Sequence, residues 1–152
     1  MSPEFADFLH SRINAIDLKA ALINALGWEK VSGNTEKYCM YIFNKTPDEL
    51  DIDELGAEDL FVIGYLSAME NYHNPNESLE FLKKAKKKLS KSYTVNIIYS
   101  LVKSQIAMEK DFCSVWKIYN KVDNNKKLNH DMRLYAEKII LDYMYLYKDF
   151  CK

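Results

Sequence analysis

Glycine and proline are scarce, four and three in 152 residues, and their scarcity excludes much that depends on them. No glycine-rich loop is present to cradle a phosphate, and no turn-dense array of short strands is encoded. Cysteine is rarer than glycine. Cys39, Cys113 and Cys151 are odd in number and far apart, with no CxxC and no histidine pair nearby. Neither a disulfide framework nor a zinc site is therefore expected, and the thiols are expected to be reduced. An excess of charge is missing too: 21 basic against 22 acidic residues leave a net −1, so any attraction to a polyanion must be local. Arginine is limited to Arg12 and Arg133. No run approaches the roughly 18 apolar residues of a membrane helix, and the N-terminus lacks a basic-then-apolar signal pattern. A soluble, cytoplasmic protein without membrane contact is the expectation.

What is present is apolar surface, 48% hydrophobic and 13% aromatic residues, enough for one domain over residues 1–152 with a closed core. The apolar positions recur with a period near 3.6 rather than 2, which predicts an all-α fold. Ser2, Pro3 and Glu4 suit a helix start; the same stretch, SPEF, also matches a cloning-vector remnant. Phe5, Phe8, Leu9, Ile13 and Ile16 form one face. Asp17 is placed to cap a second helix that Gly27 ends. After a loop at Ser32–Asn34, a helix through Tyr38, Tyr41 and Ile42 follows. Thr46–Glu49 (TPDE) is a capping box opening a short acidic helix that ends at Gly56. The second half predicts longer helices over Glu58–Tyr72, Glu77–Leu89, Thr94–Met108, Phe112–Val122 and Asn129–Phe150. The polar loops between them are short, so neighbours must run antiparallel.

Over residues 60–150 the pattern repeats. Val62, Tyr65, Leu66 and Met69, followed by Ser78, Leu82 and Ala85, return as Tyr99, Val102, Lys103 and Ile106, followed by Val115, Tyr119 and Val122. Phe112 opens the second of these later helices. The offset from Ser78 to Val115 is 37, and Met132, Tyr135, Ala136 and Ile139 fit the first half of a further unit. This resembles the tetratricopeptide repeat, whose period is about 34 residues. Leu66 and Lys103 occupy places where that family prefers a small residue. The resemblance implies antiparallel helix pairs stacked as a solenoid or superhelical bundle over residues 57–152, capped by a long C-terminal helix, with residues 1–56 outside the repeat. It also implies a concave groove lined by the first helices: Leu60, Ile63, Ser67 and Glu70, then Ile97, Ser100, Ser104 and Met108, then Arg133 and Glu137. The Lys, Asn and Arg with which some members grip acidic tails are absent from the first two units. Isoleucine, leucine, methionine and small hydroxyls suit a segment with apolar anchors.

Chemistry-bearing motifs are absent. Cys113 has no histidine near it in sequence; His10, His73 and His130 stand alone; no HExxH or G-x-S-x-G occurs. No catalytic residue, metal ligand or cofactor is assigned, and the chain is not expected to be an enzyme. In ESLEFLKKAKKKLSKS the residues Ser78, Leu82, Ala85 and Leu89 define a buried stripe, so Lys83, Lys84, Lys87, Lys88 and Lys91 project away from it. They form a solvated face or a docking surface for acidic residues. Those include the chain's own Asp48, Glu49, Asp51, Asp53, Glu54, Glu58 and Asp59. The expected function is a protein–protein interaction module (scaffold, adaptor or chaperone) that holds a partner segment in the helical groove. The alternative is a regulatory nucleic-acid-associated domain using the lysine-rich helix, although that run lacks the arginines and aromatics of base recognition. The C-terminal helix carries two apolar stripes, Met132, Tyr135, Ala136, Ile139, Tyr143, Leu146 and Phe150 on one side and Leu134, Leu141 and Tyr145 on another. Both need cover, from the N-terminal helices, a second copy or a partner.

Overall fold

A computed structural model describes residues 1–29 and 32–151. Among these it contains eight α-helices and no strand: α1 (Pro3–His10), α2 (Ile16–Trp28), α3 (Asn34–Phe43), α4 (Ala57–Glu70), α5 (Asn76–Lys88), α6 (Tyr93–Met108), α7 (Phe112–Asp123) and α8 (Leu134–Met144), with 3-10 turns at Pro47–Glu49 and Tyr145–Phe150. No helix of the described residues is long and apolar enough to cross a membrane.

Helix α4 is the hub because it is apolar all round. Leu60 to Leu66 are buried without interruption, and a helix without a polar face must be covered on every side. It packs against α1, α2, α3, α5 and α6. Its antiparallel pairing with α5 is set by small residues. A Cβ on Gly64 would lie 2.9 Å from Leu82 Cγ and 3.0 Å from the Leu82 backbone nitrogen, and Ser78 Oγ donates to Ser67 Oγ at 2.9 Å. The close approach thus falls at Gly64, two residues before the small-residue place that the repeat pattern assigns to Leu66. Helix α5 buries Ser78, Leu82 and Ala85 as its periodicity predicts. Helices α6 and α7 form the next tightly packed pair.

Several local expectations change in the fold. Ser2 does cap α1, its hydroxyl accepting from Phe5 N–H at 3.3 Å. Asp17 does not cap α2, whose N-cap is Ala15. Asp17 is buried, and it accepts from the Arg133 backbone N–H at 3.1 Å and from the Arg133 guanidinium. An orphan donor at the start of α8 is so satisfied from the other end of the chain. Gly27 lies inside α2, where a Cβ would meet Met69 Cβ at 2.9 Å; it permits close packing on α4 rather than ending the helix. The capping box of Thr46 and Glu49 forms, with Glu49 Oε2 accepting from Thr46 N–H at 2.8 Å, but it encloses a single 3-10 turn.

The C-terminal helix is shorter than predicted. Asn129 accepts from Tyr93 N–H at 3.0 Å and donates to the Lys91 carbonyl at 2.7 Å, while Asp131 accepts from Thr94 N–H at 2.8 Å. These bonds cap α6 and hold residues 129–131 extended, so α8 starts at Leu134 and gives way to the 3-10 turn after Met144.

The expectation of reduced thiols is also corrected. Cys113 and Cys151 form a disulfide with Cα atoms 4.7 Å apart, and only Cys39 is free among the described residues. Sequence separation hid the pair: its halves stand 38 positions apart, and the packing of the 3-10 turn on α7 brings them together. The bond fastens the 3-10 turn onto the first turn of α7, beside Phe112, whose ring packs on Phe150 at 5.0 Å. Reduction is expected to cost about 2–4 kcal/mol, because the released loop regains entropy in the unfolded chain, while most helical circular dichroism persists under native conditions. Hydrogen exchange should quicken first over residues 145–151. Unchanged exchange and unchanged melting temperature after full reduction would show that the bond constrains nothing.

Candidate functional site

Six of the residues expected to line a groove are not at the surface. Leu60, Ile63, Ile97, Ser100 and Ser104 are buried, and Ser67 is half-buried on Ser78. The serine hydroxyls turn onto their own helix, Ser100 Oγ donating to the Ile97 carbonyl at 2.7 Å and Ser104 Oγ to the Ser100 carbonyl at 2.8 Å. Helix α2 packs on both α4 and α6. Glu70 caps α3, its carboxylate accepting from Thr35 Oγ1 at 2.7 Å and from the Asn34 backbone N–H. The N-terminal helices therefore occupy the side of α4 and α6 that an open repeat would offer to a partner. Arg133 is held by Asp17. Glu137 Oε2 is buried without a hydrogen bond, 3.7 Å from His130 Nδ1.

Ser104 and Met108 do reach a cavity, of another kind. Between α2, α4, α6 and α8 lies an open cleft of about 360 Å³, walled by Trp28, Tyr65, Met69, Tyr72, Leu101, Met108, Ile139, Ile140, Tyr143 and Met144. Trp28 stands at its edge with 73% of its surface exposed. Among the described residues no lysine, arginine or carboxylate lines the cleft. Its tyrosines are held in their neutral form: burial pushes the Tyr65 and Tyr72 hydroxyls up, and the bond to Tyr147 pushes Tyr143 up to about 12. One polar feature stands out. Gln105, whose side chain bonds the Tyr72 hydroxyl, keeps its Oε1 buried with no hydrogen-bond partner, an unsatisfied acceptor in an apolar wall. A cleft of this size, largely apolar with a few polar groups, is the usual form of a binding site.

The lysine face divides in two. Lys84 pairs with Asp53, and Lys88 Nζ donates to the Leu55 carbonyl at 2.7 Å, so part of the run docks on the chain's own acidic segment. Lys86 lies over the Tyr99 ring at 4.7 Å, and burial together with Lys103 and Lys121 holds its pKa below the usual lysine value. The other polar clusters join helices. Asp59 accepts from Tyr38 OH at 2.7 Å and lies 2.8 Å from His10 Nδ1, tying α1, α3 and α4 together. Burial, with Asp59 nearby, pushes the Cys39 thiol up to about 12, which leaves it protonated and unreactive at neutral pH. Among the described residues no cluster of three histidines, cysteines or carboxylates is placed to hold a metal ion.

No family model, curated protein or solved structure matches this chain. The sequence pattern missed Trp28, Tyr72 and Tyr143 as cleft residues. Trp28 carried a readable signal, a tryptophan at a helix end outside every apolar stripe. Tyr72, in the turn after α4, and Tyr143, on α8, have neighbours that only the fold reveals.

Proposed function

We propose that this protein is an interaction module, in the role of scaffold, adaptor or chaperone, that takes an apolar side chain of a partner segment into the cleft between α2, α4, α6 and α8. One observation carries the reading: an aromatic and methionine-rich cleft, lined by no charged side chain among the described residues, in which a buried acceptor, Gln105 Oε1, has no partner. Methionine and tyrosine walls adapt to varied apolar shapes. The tetratricopeptide-like arrangement remains our reading of the architecture, supported by two successive tightly packed helix pairs, with α2 lying where an open repeat would bind. The protein acts by binding rather than by catalysis.

Selection of a random peptide library on the folded protein is the test. Recovered peptides are expected to share bulky apolar anchors, each contributing about 1.5–3 kcal/mol on burial. Their affinity should fall roughly tenfold or more in Trp28→Ser and Tyr72→Ser, both exposed enough to leave the melting temperature unchanged. Recovery of acidic peptides only, insensitive to these substitutions and released by salt, would move the site to the lysine face. Tight, salt-dependent binding of generic DNA or RNA would favour the nucleic-acid alternative instead.

A further inference from the structure

Helix α8 gives only one side to the body of the protein. Met144 is buried and Ala136, Ile140 and Leu141 pack against the core, while the outer side is apolar and largely uncovered: on α8 Leu134 is 80% exposed and Tyr135 78%, with Ile139 and Tyr143 about half exposed, and on the 3-10 turn that follows Leu146 is 65% exposed, with Tyr145 and Phe150 about half. With about 150–250 Å² available on each aromatic side chain, this face exposes on the order of 800 Å². Monomers rarely leave a contiguous apolar patch above a few hundred Å² uncovered, and about 800 Å² is what one partner contributes to a standard interface.

The charges on this face indicate the occupant. Lys138 and Asp142 stand one turn apart in the middle of it, with Nζ 2.7 Å from Oδ2. We propose that the face pairs with the same face of a second copy, the two α8 helices running antiparallel about a two-fold axis at the level of Ile140. That axis sets Lys138 opposite Asp142 of the second copy, twice over, since an isologous contact repeats each pair. It also sets Leu134 opposite Leu146, and Tyr135 opposite Tyr145. A parallel pairing would bring lysine to lysine and aspartate to aspartate, which opposes association. The face meets the cleft at Ile139 and Tyr143, but Leu134, Tyr135, Lys138, Asp142 and Leu146 lie outside the cleft.

Sedimentation equilibrium across a concentration series tests it, on the full chain with its disulfide intact. The native protein is expected to be dimeric. Lys138→Asp and Asp142→Lys each put like charges across the axis and should weaken the dimer on the order of tenfold or more. The double variant, Lys138→Asp with Asp142→Lys, restores opposite charges and should recover it. Circular dichroism checks that each variant keeps its helices, since the same residues also pair within α8. Tyr135→Asp should yield a monomer. A native protein that stays monomeric at millimolar concentration overturns the proposal. So does a dimer indifferent to both single charge changes, which would place the contact on another surface or in a parallel arrangement.

Discussion

Ile63→Asp and Ile97→Asp, made singly, are each expected to abolish cooperative folding. Both side chains are almost wholly buried in the single apolar cluster that runs from Ala6 to Met144. Truncating a buried isoleucine costs on the order of 2–5 kcal/mol, and a carboxylate in its place adds several more because nothing there pairs with it. A domain of ordinary stability holds about 5–15 kcal/mol in total, so either change consumes most of it. The expected readout is loss of the sigmoidal urea transition, while Ile63→Val, which keeps most of the volume, should cost about 0.5–1.5 kcal/mol. If Ile63→Asp melted like the parent, the side of α4 assigned to the core would in fact be open to a partner.

That outcome bears on how the groove was read from sequence. A concave surface waiting for a partner should carry polar residues between its anchors, yet Leu60–Leu66 (LFVIGYL) contains no charged residue and only Tyr65 with a polar atom. A helix apolar all round is a covered helix, so the burial of Leu60 and Ile63 is legible from α4 alone, against the groove that the repeat register implies. The inner stripe of α5 and the acidic partner of its lysines were legible as well, because Ser78, Leu82 and Ala85 keep strict helical spacing and seven acids lie together upstream. Contacts between distant segments were not. Nothing near Asp17 indicates that it caps a helix 116 residues away, and nothing near Cys113 indicates Cys151. Gly27 looks like a helix stop because glycine often is one; only Met69 lying against it shows the second use. The cleft belongs to the same class, since its walls come from five helices, Val115 of α7 included, whose mutual placement no local pattern encodes.

Glu58→Ala is expected to destabilise the protein by about 3–5 kcal/mol, whereas Lys19→Met should cost far less and the double variant should lie near the parent. Lys19 on α2 is fully buried, and its ammonium pairs with Glu58 on α4, which keeps 31% of its side chain exposed. The asymmetry follows from solvation. Removing the carboxylate leaves a cation inside the protein with no other carboxylate within ion-pair distance among the described residues, but removing the lysine leaves a carboxylate that water reaches. Methionine at position 19 fills much of the lysine's space without a charge to satisfy. The double-mutant cycle should therefore show a coupling of a few kcal/mol in chemical denaturation; additive single effects would mean that the pair is not acting as one unit. The proposed binding is tied to the same joint. Helix α2 closes the side of α4 and α6 that a partner would otherwise reach, and it supplies Asn24 and Trp28 to the cleft. Under conditions where Glu58→Ala remains folded, loosening of α2 should raise amide exchange in α2 beyond that in α7 and weaken peptide binding more than Lys19→Met does.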